Sequence, residues 1–117
     1  MIGFYGLDLP YPPSVNRLWR QFRGRTLKSA VYRDWTKEAA LRVGQVETIV
    51  GPFEVIFEAQ RPDNRRRDLD NLPKAMMDCL TDCKVIEDDS LCQSLTIRWK
   101  PGVVKGGTMK AWVKAVA

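Results

Sequence analysis

The chain contains no histidine. That removes the imidazole general base, the imidazole metal ligand and every Ser-His or Cys-His nucleophile arrangement. Catalysis, if there is any, must come from carboxylates, lysine, arginine or tyrosine, with a metal as the natural companion of the carboxylates. Cysteine is scarce: Cys79, Cys83 and Cys92 make an odd number and lack the C-x-x-C spacing of a zinc site. Cys79 and Cys83 lie four apart on an apolar helical stripe and read as reduced core thiols. No stretch approaches the roughly 18–20 apolar residues of a membrane span, and Met1-Ile2-Gly3-Phe4 opens no signal peptide. The expectation is a cytoplasmic protein with no membrane role. Acid is also missing locally. Five basic residues (Arg17, Arg20, Arg23, Arg25 and Lys28) follow one another with no carboxylate between them.

What is present fits one domain. A length of 117 residues supports a modest core, so residues 1–117 are read as a single unit, and 44% apolar content is ordinary for a globular chain. The net charge is +5. Besides the segment above, Arg61, Arg65, Arg66 and Arg67 stand against Asp63 alone, and Lys100, Lys105, Lys110 and Lys114 form a third basic group. Acids gather elsewhere, at Asp78, Asp82, Glu87, Asp88 and Asp89. Concentrated basic segments favour a polyanion through phosphate contacts and counterion release. A nucleic acid is the expected partner.

Periodicity gives a coarse architecture. Residues 3–9 read as a strand, stopped by Pro10-Tyr11-Pro12-Pro13, since proline cannot donate to a ladder. Residues 16–27 carry Trp19 and Phe22 among arginines, with a turn at Gly24, and form either a short hairpin or an ordered loop. Both aromatics are candidates for base stacking, with core packing the favoured reading. Val31, Trp35, Ala39, Val43 and Val46 recur near helical spacing, so a helix is expected over 30–47 with Ser29 as its N-cap. Phe53, Val55, Phe57 and Ala59 alternate with polar positions as in a half-buried strand. Leu72, Ala75, Met76, Cys79, Leu80 and Cys83 make the cleanest helical stripe, with Pro73 in its first turn and Asp70 or Asn71 as its cap. Leu95, Ile97 and Trp99, then Met109, Ala111, Val113 and Ala115, predict two final strands paired like a hairpin. These elements predict an α+β fold, a mixed sheet packed by two helices.

The chemistry concentrates in Arg65-Arg66-Arg67-Asp68-Leu69-Asp70-Asn71-Leu72-Pro73-Lys74. In extended chain, residues two apart project to one side, so Asp68 and Asp70 would face the same way. Close carboxylates repel unless a cation lies between them, and Mg²⁺ commonly takes only one or two protein carboxylates. The structural alternatives are a helix cap for Asp70 and an ion pair with a neighbouring arginine for Asp68. Lys74, one helical turn beyond Asp70, either pairs with Asp70 or Asp78 or stabilises charge developing on a phosphate. Asp88-Asp89 follows the second helix, where one aspartate completes the acid cluster or the pair is simply solvated.

With these residues the chain resembles the RusA family of Holliday junction resolvases of phages and prophages. The resemblance runs through Leu9-Pro10-Tyr11-Pro12-Pro13-Ser14 with Asn16-Arg17, Arg23-Gly24-Arg25, the block from Arg65 to Lys74, Asp88-Asp89 and Lys105-Gly106-Gly107. It implies a Mg²⁺-dependent endonuclease, with no organic cofactor, that acts as a homodimer on four-way DNA junctions. By the same resemblance Asp68, Asp70 and Asp89 match the essential, metal-binding acids and Lys74 a catalytic lysine. Asn71 matches a residue that handles substrate. Asn16, Arg17, Arg65, Arg66 and Arg67 are the DNA-binding candidates, and Asp88 is an alternative ligand beside Asp89. Two positions depart from the family: Lys84 where glycine often follows the helix, and Pro73. Two rival readings remain at this level, a DNA-binding module whose acids are structural and a metal nuclease acting on flaps or RNA.

Overall fold

The structure is a computed structural model that describes residues 3–14 and 19–116. Its centre is β4 (Phe53–Arg61), where Phe53, Val55, Phe57 and Ala59 point into the core and Glu54 and Glu58 point away. The period-2 alternation of the sequence thus becomes a sheet with one apolar face. Around it stand β1 (Phe4–Leu9), β5 (Cys92–Val103) and β6 (Thr108–Ala115) in the order β1-β6-β4-β5. β5 runs parallel to β4, and the other pairings are antiparallel. Helices α1 (Ala30–Val43) and α2 (Pro73–Asp82) supply the apolar stripes that this face requires. The α+β, mixed-sheet, two-helix expectation holds.

The last two strands are not a hairpin. β5 and β6 flank β4 on opposite sides, and their connection passes over the end of β4, where the Val104 amide donates to the Arg61 carbonyl at 2.9 Å. Residues 19–28 do form a hairpin, as a separate two-stranded sheet of β2 (Trp19–Phe22) and β3 (Arg25–Lys28).

α1 begins as expected, with the Ser29 hydroxyl accepting from the Tyr32 amide at 3.1 Å. It stops at Gly44 (φ 67), earlier than the apolar spacing out to Val46 suggested. Its buried face is Tyr32, Trp35, Ala39 and Val43, whereas Val31 is exposed.

In α2 the stripe packs as read: Leu72, Ala75, Met76, Cys79 and Leu80 are buried and Cys83 is half-buried. Neither Asp70 nor Asn71 caps it. A 3-10 turn, Leu69–Asn71, precedes the helix, and Leu72 stands at the cap position without a side-chain hydrogen bond. An Asp70 cap would seek the amides of residues 72 and 73. The Leu72 amide is bonded to the Leu69 carbonyl at 3.2 Å, and Pro73 has none.

The far end of α2 closes with Lys84 in the left-handed region (φ 65). The Val85 amide reaches the Leu80 carbonyl at 3.0 Å and the Lys84 amide reaches Thr81 at 3.1 Å, the two bonds of a Schellman cap. Buried Val85 then packs where such a cap wants an apolar residue. The helix therefore ends in the glycine-type geometry despite the lysine. Lys84→Gly is expected to raise stability by about 1 kcal/mol, because glycine takes this φ without a Cβ penalty. Urea unfolding measures it, and an unchanged midpoint would show that the lysine bears no strain.

Candidate active site

The chain leaves β1 through the proline-rich loop, which is tied down twice. The Trp35 indole Nε1 donates to the Pro10 carbonyl at 2.9 Å in a buried bond. Tyr11 packs on Gly107, whose φ is +71 and where an added Cβ would meet Tyr11 Cγ at 2.8 Å and the Gln60 carbonyl oxygen at 3.0 Å. Glycine is required here on two counts, conformation and space. Gly107→Ala is expected to cost about 1–3 kcal/mol and to push Tyr11 off its seat. A thermal melt equal to wild type would show that the contact is slack.

Tyr11 matters because of what lies against it. A cleft of about 200 Å³ is lined by Tyr11, Pro12, Pro13, Ser14, Arg66, Arg67, Asp68, Asn71 and Leu72. Arg67 is largely withdrawn from solvent. Its Nη2 donates to Asp63 Oδ2 at 2.9 Å, its Nε reaches Oδ1 at 3.4 Å, and its guanidinium lies 5.8 Å from the centre of the Tyr11 ring. The hydrogen bond from Arg67, with one from the Arg65 amide, holds the Asp63 carboxyl below its usual range. Burial raises the Tyr11 phenol, so it stays protonated at neutral pH and is no general base. Asp63, Arg67 and Tyr11 thus brace the turn that delivers Asp68. Nothing in the sequence marks Tyr11 for this bracing, and the one local signal for Asp63 is its place four residues before Arg67.

Asp68 and Asp70 are exposed at this turn, and among the described residues no hydrogen bond or ion pair engages either carboxylate; the Asp68 backbone carbonyl accepts from the Asn71 amide at 3.2 Å. Both structural alternatives are therefore absent. The arginines expected beside Asp68 go to Asp63, and the cap expected of Asp70 is not made. The strand-alternation reason for their proximity needs correction as well. Asp68 is extended (φ −89, ψ 121), but the chain turns into the 3-10 conformation at Leu69. What keeps the two acids close is the short contour, at most about 7 Å between Cα atoms two residues apart.

The other candidates are placed as follows. Asn71 lines the cleft, and so does Arg66, which has no ion pair among the described residues. Arg65 is 83% exposed and only loosely paired with Asp63, at 3.9 Å. Lys74 Nζ lies 3.3 Å from Asp78 Oδ1 and not on Asp70, in an exposed i,i+4 pair worth about 0.3–0.5 kcal/mol. Asn16 and Arg17 lie outside the described residues.

Asp88 and Asp89 differ in what they touch. Asp88 Oδ1 accepts from the Ser90 amide at 3.2 Å and caps the 3-10 turn Asp89–Leu91. That amide holds Asp88 below the usual carboxylate range. One oxygen of Asp88 is thus engaged by its turn. Asp89 is exposed and lies just before β5.

Topology separates Asp89 from the other two acids. Parallel pairing sets Cys92 beside Phe53 at the start of β4, and Val103 beside Arg61 at its end. The Asp68 cleft belongs to the β4 end, since Tyr11 packs on Gly107 and Gln60 there. Asp89 belongs to the other end, about 20 Å away along a strand rising about 3.3 Å per residue. Among the described residues no three His, Cys, Asp or Glu side chains gather closely enough to hold a metal. One chain therefore offers two neighbouring carboxylates, hard oxygen donors free of other partners. That donor set suits Mg²⁺ in kind, and two carboxylates suffice when water completes the shell.

A family model described as Endodeoxyribonuclease RusA matches residues 10–113, a span that includes Asp68, Asp70, Lys74 and Asp89. The chain belongs to the RusA family. It is 41% identical over 113 residues to the Crossover junction endodeoxyribonuclease RusA of Escherichia coli (strain K12), covering 91% of this chain and 90% of that protein. The relative of the same name from Shigella sonnei (strain Ss046) gives 41% with the same coverage, and that of Enterobacteria phage 82 gives 40%. Membership of RusA makes this chain an endodeoxyribonuclease, and the family resemblance expected from the sequence is upheld. Among the described residues of this RusA chain no helix is long and apolar enough to cross a membrane.

Proposed function

We propose that the chain is a Mg²⁺-dependent, structure-specific endonuclease that resolves Holliday junctions by paired symmetric nicks, as a homodimer, in DNA recombination and repair in the cytoplasm. The observation that carries this reading is the pair of exposed, unengaged carboxylates, Asp68 and Asp70, at an arginine-lined cleft in a RusA chain. Structural acids are spent on caps and ion pairs, as Asp63 and Asp88 are here. Asp68 and Asp70 make no such contact, which weighs against the rival of a DNA-binding module with structural acids.

Asp68, Asp70 and Asp89 would hold the metal. Bound Mg²⁺ supplies Lewis-acid stabilisation of charge on the scissile phosphate and a more acidic water nucleophile. The protein's own work is to hold and orient. Arg65 and Arg66 contact phosphates, which position DNA without reading sequence. Arg67, fixed by Asp63 and Tyr11, keeps the acidic turn in place. Asn71 presents its amide to the substrate from the cleft wall. Lys74 leaves its weak pair with Asp78 and places a positive charge near the reacting phosphate, where it stabilises the transition state more than the ground state.

The separation of Asp89 supports the homodimer. β5 is an edge strand carrying the exposed apolar residues Leu95 and Val103. Such an edge is a template for pairing with another chain. If two β5 strands paired antiparallel about a two-fold axis, Asp89 of a second copy would lie at the end where Asp68 and Asp70 stand. Two sites related by a two-fold axis then account for symmetric nicks. The deciding experiment compares Mg²⁺-dependent cleavage of a four-way junction, a fork, a linear duplex and an RNA hairpin on one gel. Junction cleavage well above the other three is expected. Preference for the fork or the RNA would overturn the junction assignment.

A further inference from the structure

The β2–β3 hairpin is an arm attached at its base. Each β2 residue is exposed, and the tip is a two-residue turn with Arg23 (φ 51) and Gly24 (φ 75) both left-handed. Trp19, at the base, sets its ring edge-on to Tyr32 of α1 at 5.5 Å and 85°. Lys28, opposite Trp19 in the register, pairs with Asp82 at 3.6 Å and lies 4.8 Å from the centre of the Tyr32 ring. The base is thereby anchored. The tip is not: Phe22 is 49% exposed and outside the core, contrary to the packing expected from sequence. Arg20 and Arg23 place guanidinium groups 5.5 and 5.2 Å from its ring centre. Arg20, Arg23 and Arg25 have no carboxylate partner among the described residues.

We propose that this hairpin is a stacking arm: Phe22 receives the face of a DNA base unstacked at a branch point, and Arg20, Arg23 and Arg25 hold the phosphates beside it. An aromatic ring among cations with no acid is the combination that binds single-stranded nucleic acid, because every base offers a π-face and every linkage a charge. The guanidinium groups sit near the outer limit of about 6 Å for attraction to a ring, so little is lost when they turn to phosphates. A second copy of the arm is disfavoured as occupant, since it would bring three unpaired arginines against three. Intact duplex offers no exposed base face, whereas a junction opened at its crossover does. The inference rests on the junction reading and specifies which residue recognises the branch.

The test uses a four-way junction with 2-aminopurine at the branch point, and a duplex of the same arm sequence, both in EDTA so that no strand is cut. Wild type, Phe22→Leu and Phe22→Trp are compared by fluorescence and by affinity. Wild type and Phe22→Trp are expected to alter the 2-aminopurine signal. Phe22→Leu is expected to lose that change and to bind the junction about tenfold more weakly, with duplex affinity unchanged. The stacking arm is overturned if Phe22→Leu keeps signal and affinity, or weakens duplex and junction equally. It is also overturned if sedimentation shows that the substitution dissociates subunits, which would make Phe22 a protein contact. A wild-type protein that binds the junction no better than duplex would overturn the junction reading, and this arm's ligand with it.

Discussion

Asp70→Asn is expected to leave four-way junction binding intact and to lower Mg²⁺-dependent nicking by a thousandfold or more, about 4 kcal/mol of transition-state stabilisation. The substitution is nearly isosteric. It touches an exposed side chain that caps nothing and pairs with nothing among the described residues, so stability should change by no more than about 0.5 kcal/mol. What it removes is a formal charge and a hard anionic oxygen, the two properties that attract Mg²⁺. With no histidine in the chain, no imidazole can substitute as ligand or base. Burial also raises all three thiols, so they remain protonated at neutral pH and offer no thiolate in its place. Single-turnover cleavage of an end-labelled junction, beside a binding titration in EDTA, separates the two effects. A variant that still cuts at a tenth of the wild-type rate would sink the assignment of Asp70 as a metal ligand.

The second large effect is a recovery. Asp70→Asn and Asp89→Asn should each be inactive as homodimers, yet a heterodimer of the two should nick the junction again, in one strand only. If each site takes Asp68 and Asp70 from one copy and Asp89 from the other, both substitutions fall in one site of the mixed dimer. The other site is then left whole. If each chain built its own site, the mixed dimer would carry one damaged acid in each and cut nothing. The expected gain over either parent is again about a thousandfold, at up to half the wild-type rate per dimer. Co-expression with two affinity tags yields the mixed species, and a denaturing gel counts the nicked strands. No recovery would show that Asp89 does not act across a subunit boundary.

Periodic elements were legible in the sequence because their burial is local arithmetic. Leu72, Ala75, Met76, Cys79 and Leu80 share one side of any α-helix, and Phe53, Val55, Phe57 and Ala59 share one side of any strand. Both stripes are buried as read. Pairing between elements was less legible. Consecutive strands are usually neighbours, which favoured a hairpin of β5 and β6. That tendency lost because β4 lies between them and uses both of its edges. Caps were misread where a proline intervened: Pro73 has no amide, and the 3-10 turn consumes the amide of Leu72. Trp19 and Phe22, for which core packing was favoured over stacking, are both exposed, because apolarity favours burial on average while a two-stranded arm has no second layer to bury them.

By itself the sequence determined the chemistry open to this protein. Residue identity sets which groups can ionise and how hard they are as ligands, so a chain without histidine, with Asp68 and Asp70 directly after an arginine run and Asp89 in a later acidic turn, pointed to carboxylates with a metal and a polyanionic partner. Tertiary structure decided which of those acids meet. Parallel pairing of β4 with β5 requires the chain to cross back between the strands. The acids before α2 and the acid after it therefore stand at opposite ends of the sheet, a separation that composition and spacing do not contain.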